Sequence, residues 1–404
     1  MPSWLKISII IAIALPAVVL RLAGIHLPPI PTIFIFGSGV VGSAFLLVWA
    51  AEAAGHDISG SLATAILAVI AVLPEYAVDL YFAWSAGHIP QNAHYAAANM
   101  TGSNRLLLGL GWPFVAVLFA WGAWRRGKRV SGVQLDASRR TELAFLGVAS
   151  LYSLVVPFTR RLALYDSLVL LTLFGLYLWR AAQGERREPD LIGVAKSVGD
   201  LKRGKRRAAV VSMFLAASAV VVLASEPFAQ ALVSGGKELG IDEFLLVQWL
   251  APLASESPEL LVAAVLALRG HQDASLGTLL SSKVNQWTLL VGSLPVAFAI
   301  GGGAAGGIVL DARQTEEFIL TAAQTLLGLA VLIDLRFKVW EAVALFLLFA
   351  VQFPFPQPAV RLALAAIYGV IALVILARRR HEIVATGRAF FVRPAAAHAE
   401  RRPI

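Results

Sequence analysis

The chain has 404 residues, of which 58% are hydrophobic and only 15% are charged, and its formal net charge is +9. This composition carries too much apolar surface for a soluble domain and predicts a polytopic membrane protein. Cysteine is absent, which excludes disulfides, thiolate metal sites and cysteine nucleophiles.

Apolar windows of about twenty residues, the length that a helix needs to cross a bilayer, recur along nearly the whole sequence. The first one follows Lys6 and is either a signal peptide or a retained helix. Retention is favoured because the apolar run continues to Arg21 without a small-residue cleavage site. In chain order the predicted spans cover residues 5–25, 31–54, 60–84, 93–123, 140–158, 162–182, 207–233, 243–268, 274–300, 315–334, 336–353 and 358–377.

Basic residues concentrate in three segments, 125–140, 186–207 and 378–380, which fall on the same side of this arrangement. The positive-inside rule makes that side cytoplasmic, so both termini are expected in the cytoplasm of a bacterial-type plasma membrane. The positive charge is then explained by topology and contacts with anionic lipids. The expected partners are the lipid bilayer and small inorganic cations, with no nucleic acid, and the oligomeric state has no signal in the sequence.

The two halves of the chain, on either side of a charged segment, show the same order of apolar spans and charged or polar motifs. Each half carries five spans, and an odd number of crossings forces the second copy to insert upside down relative to the first, as in secondary transporters. The alternative is accidental likeness between apolar segments. The predicted fold is an all-α polytopic membrane protein with two inverted five-helix repeats plus flanking helices, about 12 transmembrane helices in total. The predicted units are an extra N-terminal helix (1–30), a first repeat (31–182), a basic linker (183–206), a second repeat (207–353), an extra C-terminal helix (354–380) and a cytoplasmic tail (381–404).

A Pro-Glu pair occurs at matched places in the two halves, as Pro74-Glu75 and Pro258-Glu259. A proline inside a helix removes a hydrogen bond, kinks the helix and frees the carbonyl four residues earlier, which is that of Ala254 in the second half. At membrane depth such an oxygen must be buried or line a cavity. Prolines are also common in membrane helices as simple kinks. A carboxylate beside a freed carbonyl nevertheless offers the hard oxygen ligands that calcium or sodium requires.

Each of these glutamates has a second acid on the same helix face. Asp79 follows Glu75 by four residues, and Glu256 precedes Glu259 by three. Four carboxylates are therefore expected at a common cavity. Asp79 and Glu256 each lack a counterpart in the other half, so either acid could instead act on its neighbour through like-charge repulsion.

Amide and hydroxyl side chains follow each Pro-Glu pair within thirty residues, notably Asn99, Ser103, Ser282 and Gln286. Such groups complete an oxygen shell without adding charge. The alternative is that they pack helices together, as small polar residues do in membranes.

Two basic residues, Arg105 and Lys283, lie in the same polar clusters. Four carboxylates and two cations leave a formal charge of −2, which one divalent cation or two protons would neutralise. A buried lysine can also act as a proton carrier, which suggests that protons replace some of the sodium in a transport cycle. Alternatively, both side chains lie near helix ends and reach towards water.

The paired Pro-Glu motifs and the polar clusters resemble the alpha repeats of the calcium:cation antiporter superfamily, of which the chain is a divergent, sodium/calcium exchanger-like relative. The resemblance covers most of residues 31–353. It implies that Glu75 and Glu259 are the central cation-binding (metal) residues and that Ser103 and Ser282 match serines of the family's Gly-Ser-Asn motif. It further implies alternating-access exchange of calcium, or another cation such as sodium, for sodium or protons. No cofactor is expected, because Ca²⁺ or Na⁺ and H⁺ are the substrates.

The motifs depart from the family pattern and leave one register open. Lys283 stands where the motif has an asparagine after the serine. In the first half, Ser103 at the serine position leaves Leu107 at the later ligand position. Asn99 at the serine position instead puts Ser103 at the later one, which keeps both positions polar.

Two other functions are considered. An intramembrane metal-dependent enzyme could use paired acids, although the sequence has no DDxxD motif and no His-Glu metalloprotease pairing. A non-coupled cation channel would keep the cavity without coupling. The choice of cation is not encoded in these residue types, because carboxylate and amide oxygens serve several cations.

Overall fold

The computed structural model describes residues 2–54, 73–183, 191, 193–355 and 357–391, and for residues 73–75 and 182 it describes the backbone alone. The α-helices are α1 (Ser3–Leu22), α2 (Pro29–Ala54), α3 (Leu73–Ala86), α4 (Asn92–Leu106), α5 (Trp112–Arg125), α6 (Arg140–Ser153), α7 (Val155–Thr159), α8 (Leu164–Ala182), α9 (Gly193–Gly199), α10 (Arg203–Leu239), α11 (Glu243–Arg269), α12 (Gln272–Asn285), α13 (Val291–Ile300), α14 (Ala312–Leu332), α15 (Val339–Ala350), α16 (Pro358–Arg378) and α17 (Arg380–Phe391). A π-helical segment joins α4 to α5 (Leu107–Gly111) and another joins α12 to α13 (Gln286–Leu290), while a 3-10 turn (Ala137–Arg139) precedes α6.

Within the described residues, nine helices are long and apolar enough to cross a bilayer, which confirms the prediction of an all-α polytopic membrane protein. Three further spans were expected. Span 60–84 lies largely outside the described residues. Span 274–300 is present as α12, its π-helical segment and α13, but Lys283 and other polar residues interrupt its apolar character. Span 336–353 is the shorter α15, so the total of twelve stays a prediction.

Two segments expected to be a linker and a tail contain helices. In the linker 183–206, Val194 and Val198 of α9 pack in one apolar cluster with the end of α2. In the tail, Phe390 of α17 stacks on Phe145 of α6 with ring centroids 4.5 Å apart. Their apolar residues are too few to signal a membrane span, and they fold because the bundle gives them an apolar surface to cover.

Four short strands connect the two halves of the chain. Strand β1 (Gly132–Gln134) pairs antiparallel with β4 (Arg336–Lys338), and β2 (Arg161–Leu162) pairs antiparallel with β3 (Ile308–Val309). The first strand of each half thus pairs with the second strand of the other half, which is the reciprocal pattern that a two-fold axis produces. This pairing and the matching order of helices support two repeats related by such an axis.

Small residues allow the long helices of the two halves to approach closely. Gly37 of α2 lies against the ring of Phe228 on α10, and Gly235 of α10 lies against Ile33 of α2. Glycine at a helix interface lets backbones come together and increases van der Waals contact where the hydrophobic effect is weak. The paired helices form part of one apolar core that contains residues of both halves.

Candidate cation-binding site

The polar centre of the molecule lies where α4, α11 and the π-helical segment after α12 meet. The Ser103 hydroxyl donates a hydrogen bond to Oε1 of Glu256. The Gln286 amide donates to the same carboxylate oxygen at 3.0 Å and to the Ser103 hydroxyl oxygen at 3.1 Å. All three residues are buried. Residues from both predicted clusters are therefore brought together around Glu256.

Glu259 lies one helical turn beyond Glu256 and contacts a different helix. Its Oε2 accepts a hydrogen bond of 2.8 Å from the hydroxyl of Ser282 on α12. The two acids of α11 thus hold one hydroxyl from each cluster.

The acids of the first half are only partly described. Asp79 on α3 is fully buried. Pro74 and Glu75 lie in the first turn of α3, but their side chains lie outside the described residues. Their expected roles, including the kink at Pro74, stay predictions.

Pro258 does not break α11, which is helical from Glu243 to Arg269. Only one backbone hydrogen bond is lost, because the helix continues on both sides of the proline. The carbonyl of Ala254, expected to be open, accepts a hydrogen bond of 3.0 Å from the Ser257 hydroxyl. A carbonyl oxygen has two lone pairs, so this bond alone does not prevent it from binding a ligand.

A second proline of α11, Pro252, was not singled out in the sequence. It removes the backbone donor that would pair with the carbonyl of Gln248. That carbonyl lies directly against Gly102 of α4, so close that a β-carbon there would overlap it. The Gln248 amide also donates to Thr101 at 3.4 Å. Two features of the sequence could have predicted this contact. Pro252 lies four residues after a polar side chain, and the first cluster contains a glycine.

Several amide oxygens in the two clusters are buried and have no hydrogen-bond donor among the described residues. They are Oδ1 of Asn99, Oδ1 of Asn285 and Oε1 of Gln286. Buried polar atoms are nearly always satisfied by a protein group, water or an ion. These oxygens are therefore available to coordinate a cation.

Packing favours one of the two possible registers between the clusters. Gly109, six residues after Ser103, lies against Phe349 of α15. Gly292, six residues after Gln286, lies against Leu171 of α8. α8 and α15 are the last helices of the two predicted repeats, so this contact pairs Ser103 with Gln286 and Asn99 with Ser282. Aligning the starts of the two π-helical segments, Leu107 and Gln286, instead pairs Ser103 with Ser282, and the register stays a prediction.

Both basic residues of the clusters are buried, so neither reaches towards water as a residue at a helix end would. Lys283 donates from Nζ to the main-chain carbonyl of Asn104 and, at 2.9 Å, to its Oδ1. Arg105 pairs with Glu317 of α14, with Nη2 and Oε2 2.5 Å apart. Among the described side chains, Arg105 thus has its own carboxylate partner, and the expected charge balance must include Glu317.

Comparison with known proteins identifies the family of the chain. The model of the family described as sodium/calcium exchanger protein matches residues 29–182 and 209–355. The chain belongs to the sodium/calcium exchanger family.

Solved exchanger structures share this fold. The crystal structure of the H⁺/Ca²⁺ exchanger CAX is 41% identical in sequence, with a TM-score of 0.90, and the match covers 96% of this chain and 97% of that one. Native YfkE is 16% identical, with a TM-score of 0.63 over 90% of this chain and 99% of that one. The sodium-calcium exchanger NCX_Mj is 17% identical, with a TM-score of 0.53 over 80% and 98% of the two chains. The last two show the fold alone, and no curated protein matches the sequence.

Membership of the exchanger family identifies the chain as a secondary transporter and a cation antiporter, and the intramembrane enzyme considered from the sequence is wrong. The described residues contain no group of three or more histidine, aspartate or glutamate side chains that could hold a metal ion.

Proposed function

We propose that this exchanger moves Ca²⁺ in exchange for H⁺ by alternating access, with the central carboxylates binding the two ions alternately. The observation that carries the proposal is the cluster of Ser103, Glu256 and Gln286, in which one carboxylate, one hydroxyl and one amide converge from three helical segments. Oxygen ligands of this kind suit Ca²⁺.

Competition for the same carboxylate oxygens supplies the coupling. A carboxylate that carries a proton has lost the negative charge that attracts a divalent cation. Calcium entering the site must therefore displace protons, and protons arriving from the other side must displace calcium. The identity to the H⁺/Ca²⁺ exchanger CAX supports the proton as counter-ion.

The residues proposed to bind the cation are Glu75, Glu259, Asn99, Ser103, Ser282 and Gln286, with Glu256 between them. Glu259 and Ser282 supply a carboxylate and a hydroxyl from α11 and α12, while the open amide oxygens of Asn99 and Gln286 supply neutral ligands. Neutral ligands limit the affinity, which lets a transported ion leave.

The test is ⁴⁵Ca²⁺ uptake into proteoliposomes with pH and sodium gradients imposed independently. We expect the wild-type protein to accumulate Ca²⁺ against its gradient when a pH gradient is present and to stop when nigericin collapses it in potassium medium. We expect Glu259→Gln to abolish this uptake. The matched control is Glu243→Gln, which changes an acid in the first turn of the same helix and should leave uptake intact.

Two outcomes would contradict the proposal. Accumulation that requires a sodium gradient and ignores the pH gradient would make the protein a sodium/calcium exchanger. Downhill calcium flux that no gradient of another ion can reverse would make it a channel.

A further inference from the structure

The amine of Lys283, on α12, contacts two oxygens of Asn104 on α4. Asn104 of α4 supplies both its main-chain carbonyl and its side-chain Oδ1, the latter at 2.9 Å. The Asn104 amide is itself oriented, because its Nδ2 donates to the carbonyl of Met100 at 3.0 Å. Two oxygens therefore converge on one nitrogen from a fixed direction.

The surroundings of this nitrogen suit a positive charge. Lys283 is completely buried, and its Nζ lies 5.8 Å from the centre of the Trp287 ring, a distance at which the ring face attracts a cation. Carbonyl and amide oxygens are acceptors only, so both contacts stabilise an ammonium group. In transporters, main-chain carbonyls at interrupted helices also coordinate Na⁺. The π-helical segment that begins at Leu107, one turn beyond Asn104, shifts the backbone hydrogen bonds of this helix by one residue.

We propose that the Lys283 ammonium is a tethered monovalent cation, occupying a position that a dissociable Na⁺ would otherwise take beside Asn104. Because it is covalently attached, it cannot leave during the cycle and contributes one fixed positive charge to the polar centre. Lys283 thereby selects against sodium as a counter-ion and leaves the carboxylates to Ca²⁺ and H⁺. This role differs from the proton carrier suggested by the sequence, because the lysine keeps its proton throughout.

This inference rests on the proposed function, but it is tested by binding in detergent without transport. The experiment measures the melting temperature and the Ca²⁺ dissociation constant of purified protein in NaCl and in choline chloride. We expect the wild-type values to be the same in both salts. In Lys283→Asn the Asn104 oxygens lose their cation, so Na⁺ should bind there, raise the melting temperature and change Ca²⁺ affinity by about fivefold or more.

Controls separate this effect from general salt sensitivity and from misfolding. Lys237→Asn removes a lysine near the end of α10 and should show no sodium response. Lys283→Ala removes both the charge and the donor to Asn104, and it makes the same prediction if Lys283→Asn cannot be purified.

The inference is overturned if both variants bind Ca²⁺ and neither its affinity nor the melting temperature responds to Na⁺. It is equally overturned if both variants fail to fold in either salt, because Na⁺ should replace the ammonium. Transport by the wild-type protein without proton coupling would contradict the proposed function. It would not change the result of the sodium-binding measurements, which involve no transport.

Discussion

Arg105 of α4 and Glu317 of α14 form an ion pair inside the protein, with both side chains almost completely buried. Arg105 Nη1 also donates to Gln352 at 2.7 Å, and the guanidinium lies 5.0 Å from the centre of the Trp249 ring. Glu317 is shared with Arg361 of α16, whose Nε is 3.5 Å from its second oxygen. The helix that carries Ser103 and Asn104 is thereby tied to α14 and α16 by charge.

Removing one partner of this pair should destabilise the protein strongly. We expect Glu317→Leu to lower the free energy of unfolding by about 3–5 kcal/mol, because it leaves the buried Arg105 without its carboxylate. Arg105→Leu should cost less, because Arg361 still lies beside Glu317. The double variant should lose less than the sum of the two single variants. Thermal unfolding of all four proteins in detergent measures this coupling, and strictly additive losses would show that the pair does not stabilise the fold.

Gly102 should not tolerate even one additional methyl group. The carbonyl of Gln248 occupies the space that a β-carbon would need, so Gly102→Ala must push α4 away from α11. We expect a loss of about 1–3 kcal/mol in stability and weaker Ca²⁺ binding, because the neighbouring Ser103 moves with its helix. Isothermal titration and thermal unfolding provide the two readouts.

The matched control is Gly175→Ala on α8, where a β-carbon would meet open space. There alanine should be neutral or slightly stabilising, since it favours the helix by up to about 1 kcal/mol over glycine. Equal effects at the two positions would indicate that Gly102 has no special contact.

Replacing Pro258 should separate stability from cation binding. Alanine at this position restores a backbone N–H for the Ala254 carbonyl, which also accepts a hydrogen bond from the Ser257 hydroxyl. We expect Pro258→Ala to raise the melting temperature while weakening Ca²⁺ binding, because the restored N–H competes with the cation for the carbonyl oxygen. Pro295→Ala, inside α13, is the comparison. If Pro258→Ala left calcium affinity unchanged, the Ala254 carbonyl would not be a ligand.

Hydropathy and local chemistry predicted much of this molecule from the sequence. The membrane spans could be predicted because an apolar run of sufficient length nearly always forms a membrane helix. The acids and amides of the polar centre could be predicted because placing polar groups at that depth costs free energy. Their presence in a span therefore indicates a functional site. The contact of Glu256 with both Ser103 and Gln286 follows from inverted repeats, which bring the clusters of the two halves together.

Partners that are distant in sequence could not be predicted in this way. Glu317 lies at the edge of a predicted span, 212 residues after Arg105, and nothing near either residue indicates the other. The packing that favours one register of the first cluster likewise depends on what Gly109 and Gly292 contact, and glycine itself does not specify its neighbours. Such contacts are decided by how whole helices pack, and one sequence records them only indirectly.

The reciprocal strand pairs have a consequence for the order in which the protein is made. During synthesis, β1 emerges about two hundred residues before β4, and β2 emerges well before β3. The first half therefore enters the membrane with two strands whose partners do not yet exist. Its loops can reach their final form only after the ribosome has passed Lys338, so the first half completes its folding together with the second.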